Sequence, residues 1–309
     1  MIEKKNLRSY FTQIYYSTKL GRALIHPFIE LWNKVLPEDL RLKIRFKRML
    51  GYSLNLKKPK TFNEKIQWLK LNDRSDLHTI CADKFRVREY VKTKVDEKHL
   101  IPLFYFSPSS NDIKASNLPD FPVIIKTNHG SGSIYIVKDK NGFNFKKLRG
   151  KLKKQLKESY SNSKGEWQYK NIKPMILVEK LLIDKNGNIP SDYKLHCFNG
   201  RVKIIQIHTD RFTRHKISFY SAEWSLLPIR RQKIQNEPNL SKPRNLSEMI
   251  NIAEKLASDF LYVRVDLYNV NNHIYFGELT FHPASGFGKF VPEIWDMKLG
   301  DMLTLPISE

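Results

Sequence analysis

The sequence predicts an α+β protein in which a basic, largely helical N-terminal part precedes a part made of strands and hairpins. Three observations lead there. TFNEKIQWLKLND (61–73) opens with a capping box, Thr61 and Glu64, and places Phe62, Ile66 and Leu69 on one helical face. From Phe121 onward short apolar strands replace helical periodicity. Two pairs of such strands meet at Asn199-Gly200 and at Asn271-Asn272, and Asn-Gly is a strong signal for a two-residue hairpin turn.

Taken in order, residues 1–58 form a basic helical region. FIELWNKVL (28–36) and DLRLKIRFKRML (39–50) have mixed helical periodicity, and the cations of KIRFKRM (43–49) and LKKPK (56–60) leave a strongly positive surface. That surface is either a solvated helix face or a dock for a membrane or an acidic polymer. Residues 59–120 form a helical to α+β stretch, with a second helix expected over DKFRVREYV (83–91). In residues 121–183, the strands PVIIKT (122–127) and SIYIVK (133–138) flank the turn NHGSG. A basic helix follows at 145–160, weakened by Gly150, and then the apolar strand MILVEKLL (175–182). Residues 184–309 hold both hairpins and the helix LSEMINIAEKLASDF (246–260), with Asn245 expected as its cap.

Composition narrows the class of protein. The chain has 309 residues, enough for a substantial core. Its 54 Lys and Arg outnumber 31 Asp and Glu, a formal charge of +23 that attracts polyanions without choosing among them. RRM-like and other aromatic–basic nucleic-acid signatures are missing, so nucleic acid is not an expected partner. The two cysteines, Cys81 and Cys197, form no CxxC and argue against a disulfide framework. No run of about 18 apolar residues exists and MIEKKNLRSYFTQIYY lacks a signal-peptide core. A cytoplasmic location is expected, with docking of residues 1–60 at the inner membrane face as a further expectation.

Several segments carry candidate chemistry. Lys126 ends a strand just before Gly130, Ser131 and Gly132, where backbone amides could approach phosphate; an ordinary hairpin turn would look the same, and the segment is not a Walker A loop. Glu179 and Lys180 are consecutive charges in an apolar strand, which suits either a solvent-facing edge strand or a nucleotide hinge. Arg264 and Asp266 share one face of their strand, and Glu278 and Thr280 share one face of the return strand. If the hairpin register aligns them, two carboxylates meet beside a cation and a hydroxyl, which is an oxygen set for Mg²⁺. Otherwise they are unrelated surface charges.

Taken in order, Lys126 with its glycine turn, Val178-Glu179-Lys180-x-Leu182, Lys194, Arg264-x-Asp266 and Glu278-x-Thr280 resemble the ATP-grasp superfamily from about Asp83 onward. TFNEKIQWLKLNDR, ADKFRVREYV, DYKLHCFNG, SAEWSLL and GELTFHPASGF resemble more closely the TupA-like ATP-grasp proteins, named for teichuronopeptide synthesis. The resemblance implies two α+β lobes enclosing ATP and two Mg²⁺ ions. It implies a carboxylate–amine ligase that forms an amide through an acyl phosphate, joining an amino acid or amine to a uronic acid of an acidic surface polysaccharide or its lipid-linked precursor.

Residue by residue, Lys126 and Lys194 resemble the phosphate lysines, Glu179 and Lys180 the hinge, and Leu182 the adenine contact. Arg264 would stabilise the transferring phosphoryl group, while Asp266 and Glu278 would ligate magnesium. Thr280 stands where many relatives have Asn. Ser285 and Gly286 would present amides to the reacting carboxylate. In HTDRFTRHKISFY (208–220), Arg211 and Arg214 would pair with the uronate, and His208 or His215 would accept the amine proton; the other reading is a solvated basic strand and loop. EWQY (166–169) reads as core rather than an adenine cap. A polysaccharide kinase on the same scaffold and a non-catalytic polyanion-binding protein are the alternatives.

Overall fold

The computed structural model describes residues 37–130, 134–158, 165–211, 213–231 and 234–307. The expected helix at 28–36 and the turn residues Ser131 and Gly132 lie outside the described residues. The chain divides into two units, Met1–Leu54 and Asn55–Glu309.

In the first unit, helix α1 (Glu38–Leu50) carries Glu38 and Asp39 in its first turn and Lys47 and Arg48 in its last, which complements the helix dipole. Gly51 ends it in the left-handed region at φ +93, where a side chain would be strained. Leu40, Ile44 and Met49 are exposed among its cations. No described helix is long and apolar enough to cross a membrane.

The second unit opens on α2 (Phe62–Asn72), and the capping box forms as expected. The Glu64 carboxylate also accepts the amides of Asn55 (3.0 Å) and Lys60 (2.9 Å), tying the entering chain to the helix. Helix α3 (Asp76–Ala82) follows. The next helix, α4 (Val87–Lys94), starts later than its periodicity suggests. Asp83 Oδ1 accepts from the amides of Phe85 and Arg86, so residues 83–86 hold a turn.

Strands β1 (Leu103–Ser107), β2 (Val123–Thr127) and β3 (Ile134–Val137), helix α5 (Phe145–Gln155) and strand β4 (Ile176–Lys180) form a first layer pair. The antiparallel sheet runs β1-β4-β2-β3. One face, with Val123, Ile125, Ile176 and Val178, packs on Leu148 and Leu152 of α5. The opposite face carries Lys126 and Glu179, alternate neighbours of those core positions. Strand β4 is interior rather than an edge, so the exposed-edge explanation of Glu179 fails.

Strands β5 (Asp192–Phe198), β6 (Arg201–Thr209) and β7 (Lys216–Ser221), the short β8 (Arg230–Arg231), helix α6 (Leu246–Ala257), β9 (Tyr262–Val270), β10 (His273–Thr280), β11 (Phe290–Val291) and α7 (Ile294–Asp301) complete the unit. The larger antiparallel sheet runs β10-β9-β5-β6-β7, and β8 pairs with β11. Both expected hairpins form, with Asn199, Gly200, Asn271 and Asn272 all at positive φ. Leu195, Ile205, Val263, Val265 and Leu267 pack on Met249, Ile252 and Leu256 of α6. Cys81 and Cys197 are buried and free. Asn245 precedes α6 without capping it through its side chain, which donates instead to Asn272 O at 3.0 Å.

The β9–β10 register contains an irregularity that matters for chemistry. Phe276 pairs with Leu267 but Glu278 pairs with Asp266, leaving Gly277 as an extra residue. Ile274, Phe276 and Leu279 lie in the core. By simple alternation Glu278 would follow Phe276 into that core, and the bulge turns it to the opposite face. A Cβ on Gly277 would come within 3.0 Å of Asp266 O, so the close approach suits glycine. Gly277→Val is expected to force this close approach apart, because its Cβ would also lie 3.1 Å from the Tyr268 ring. Urea unfolding should then show a loss of about 1 to 3 kcal/mol, the cost of overpacking.

Candidate active site

Strand register draws polar side chains into rows across the larger sheet. Glu278, Asp266, Lys194 and Gln206 are successive cross-strand partners. Thr280, Arg264 and His196 form the row on one side, and Tyr268, Asp192 and His208 the row on the other. These residues alternate with the apolar positions that pack on α6, so they share the face turned away from that core.

Arg264 grips Asp266 with a fork: Nε donates to Oδ1 at 2.6 Å and Nη2 to Oδ2 at 2.7 Å. Its Nη2 also donates to Thr280 Oγ1 at 3.0 Å and lies 3.5 Å from Glu278 Oε1. Lys194 Nζ bridges Asp266 Oδ2 and Asp192 Oδ2, the latter at 2.7 Å. Lys84 Nζ stands 3.5 Å from Glu278 Oε2 and donates to Gly130 O at 2.6 Å, joining the glycine turn to this row. On the smaller sheet Lys126 pairs with Glu179 at 2.6 Å. The expected pairing of Asp266 with Glu278 beside Arg264 and Thr280 is therefore present.

The charges tune one another. Burial works against the Glu278 carboxylate, but Lys84, Lys194, Arg264 and Lys126 outweigh it and hold its pKa down to about 2. Burial also opposes the Arg264 charge, and Asp266 more than restores it, so the guanidinium pKa rises. Asp266 is pushed upward by burial, while Arg264 and Lys194 pull it back. Oxygen is the only donor type that Asp266, Glu278 and Thr280 offer, a hard set that fits Mg²⁺. Among the described residues no three His, Cys, Asp or Glu side chains gather as a cage, so phosphate oxygens and water would complete the coordination.

Other expected site residues take different places. Leu182 is buried beside Ile101 and Val270, while Lys180 is exposed at the end of β4. Arg211 is spent on Asp192 Oδ2 at 3.2 Å, and Arg214 is exposed on the turn before β7. His208 does not present a free nitrogen to a substrate. Gln206 Nε2 donates to His208 Nε2 at 2.7 Å, and the other ring nitrogen meets His215 Nε2 at 2.9 Å. Burial, followed by the Lys194 charge, lowers its pKa to about 2, so it is neutral. His196 continues this chain, between Gln206 Oε1 (3.1 Å) and the Tyr262 hydroxyl (2.7 Å).

Ala284, Ser285 and Gly286 adopt three consecutive left-handed conformations, at φ +50, +55 and +67. Helix α2 over-determines this strained turn. Lys70 Nζ (2.6 Å) and Gln67 Nε2 (3.0 Å) donate to Ser285 O, and Gln67 Nε2 donates to Gly286 O at 2.7 Å. The Ser285 amide is committed to His282 O at 2.8 Å, so Ser285 offers a hydroxyl rather than the expected amide. That hydroxyl donates to Glu166 Oε1 at 2.5 Å. Tyr169 of the same segment packs against the main core, as expected for EWQY.

Sequence reasoning passed over Lys84 and Asp192. Asp192 stands two residues before Lys194 on one strand, a spacing that places both on one face. Lys84 had no such signal, because it reaches the row from a turn far away in sequence.

An α+β architecture with two main antiparallel sheets and paired carboxylates set among lysines and an arginine is the layout of an ATP-grasp protein. Residues 64–304 match the TupA-like ATP-grasp family, and the chain belongs to that family. Among solved structures, D-alanine–D-alanine ligase from Bacillus anthracis is similar at 19% identity and TM-score 0.42, over 72% of this chain and 66% of that one. D-alanine–D-alanine ligase from Helicobacter pylori is similar at 16% identity and TM-score 0.42, over 78% and 69%. L-amino acid ligase from Bacillus licheniformis is similar at 13% identity and TM-score 0.44, over 72% and 49%. This chain therefore spans about half to two thirds of the length of these proteins. No match was found among curated proteins.

The depressed pKa of Glu278 has a measurable sign. Its contribution to stability is present above the ordinary glutamate pKa of 4.5 and disappears as pH falls toward about 2. Thermal melts across that window should show a steeper acid loss for the wild type than for Glu278→Gln. Parallel curves would refute the charge assignment.

Proposed function

We propose that this protein is an ATP-dependent ligase that joins a carboxylate to an amine through an acyl phosphate. The observation that carries this is the Asp266–Glu278 pair, flanked by Arg264, Lys194 and Lys84. ATP and a substrate carboxylate are both anions, and their repulsion must be neutralised before they react. Magnesium held by Asp266, Glu278 and Thr280 would neutralise phosphate charge. Lys126 and Lys194 bind phosphate oxygens, and Arg264 balances charge on the transferring group. Glu179, Lys180 and Leu182 form the nucleotide-base end. The Ser285–Gly286 turn is the floor beneath the reacting carboxylate.

The acyl donor in this proposal is a uronic acid of an acidic surface polysaccharide or its lipid-linked precursor, and the acceptor is an amino acid or amine. Family membership and the formal charge of +23, which draws acidic glycans, support that choice. ADP and phosphate should appear only when uronate, amine and Mg-ATP are supplied together. Glu278→Gln should lower this turnover by at least about 100-fold, the scale of losing one electrostatic group at a reaction centre. A stably phosphorylated sugar would show a kinase instead.

Docking at an anionic membrane is part of the same proposal, supported by the exposed Leu40, Ile44 and Met49 among the cations of α1. The combined variant Lys43→Glu, Lys47→Glu, Arg48→Glu should lose sedimentation with anionic vesicles while keeping turnover on soluble substrates. Undiminished sedimentation would remove the membrane from the proposal.

A further inference from the structure

The cations on the polar face mostly have carboxylate partners. Lys126 holds Glu179, Lys194 holds Asp192 and Asp266, Arg211 holds Asp192, and Arg264 holds Asp266. Arg231 does not: among the described residues no carboxylate lies within 4.0 Å of its guanidinium. Yet it is largely shielded from water. Burial, with the nearby Arg264 charge, lowers its pKa to about 10, although Tyr262 and the Asp296 carboxylate pull it upward.

Its position is built rather than incidental. The guanidinium stacks over the Phe290 ring at 4.3 Å from the centroid. Strand β8 pairs Arg231 with Phe290 and so fixes the stem. Beneath it, Gly288 leaves so little room that a Cβ there would fall 2.4 Å from Arg231 Nη1 and 3.4 Å from Ala284 Cβ. Asn63 clamps Gly288 from both sides, donating to its carbonyl at 2.9 Å and accepting its amide at 3.2 Å. Asp296 orients Asn63 through a 2.8 Å hydrogen bond. A planar guanidinium is therefore held against a ring and a bare backbone, next to the left-handed turn at 284–286. Its electrostatic neighbours are Tyr262 and Arg264 on the polar face and Asp296 of α7, whose carboxylate lies beyond 4.0 Å.

A shielded, oriented and unpaired guanidinium costs stability unless an anion completes it. Its fork matches a carboxylate through two parallel hydrogen bonds. We propose that Arg231 is the receptor for a substrate carboxylate, with Phe290 and Gly288 holding its fork in place. Arg211, the sequence-level candidate, is already taken by Asp192, and both Arg264 nitrogens facing Asp266 are occupied. The class of substrate rests on the ligase proposal; the anion site itself does not.

The test is direct binding to the full chain, by calorimetry and by the Nε–Hε NMR resonance that vanishes in Arg231→Gln. Acetate, glucuronate and alanine are compared with acetamide, glucuronate methyl ester and alaninamide. At least one acid should bind the wild type and shift the Arg231 resonance, while its uncharged counterpart should not. Affinity should fall roughly 10- to 100-fold in Arg231→Gln, the loss of a charge-assisted hydrogen-bonded pair. Gly288→Ala, whose methyl would displace the guanidinium while Arg231 keeps its charge, should fall similarly, with unchanged circular dichroism. Binding of alanine but not glucuronate would uphold the site and remove the uronate from the ligase proposal. The site is overturned if wild type binds none of the acids, if the uncharged counterparts bind equally well, or if Gly288→Ala and Arg231→Gln both bind like wild type.

Discussion

The candidate active site depends on the register between β9 and β10. Gly277 is taken up as a bulge; as a regular strand position it would turn the Glu278 carboxylate into the apolar core instead of toward Asp266. The two neighbouring contacts behave differently around it. Phe276 and Leu279 both stay in the core although they are three residues apart, and Glu278 and Thr280 turn together to the polar face. Every ion pair that involves Glu278, from Lys84 to Arg264, presupposes that switch.

The charged row neutralises itself. Asp266 is shared between a forked arginine and a lysine, and the same lysine holds Asp192. Each charge is tolerable in a shielded place because its partner is a few ångströms away. In the proposed ligase, binding of phosphates and a cation would be an exchange of partners: Lys194 and Arg264 would turn from Asp266 toward phosphate oxygens and free carboxylate oxygens for the metal ion.

The polar face also contains neutral machinery. The chain Tyr262–His196–Gln206–His208–His215 crosses three strands by side-chain hydrogen bonds alone. Its histidines are kept uncharged first by burial and then by the cations beside them. Its members are bonded polar groups, so this part of the face adds no charge to the crowded row.

Much of this architecture is legible in the linear sequence because the signals are local. The capping box at Thr61 and Glu64, the two Asn-bearing hairpin turns, and the shared face of Arg264 and Asp266 all depend on residues a few positions apart. Helix starts are harder to read, as Asp83 shows, because a side chain competing for backbone amides delays a helix. Arg211 and His208 have partners that composition and periodicity do not reveal: Asp192 lies on the neighbouring strand, and His215 meets His208 from beyond the intervening loop. The sequence alone determined the fold class, the order of the strands along the chain, and which residue types could handle ATP and magnesium. Tertiary structure decided which of those residues meet, which cations are already spent, and that Glu278 faces the site at all. Those outcomes turn on cross-strand register and on contacts hundreds of residues apart, and a two-residue alternation cannot encode a bulge that reverses it.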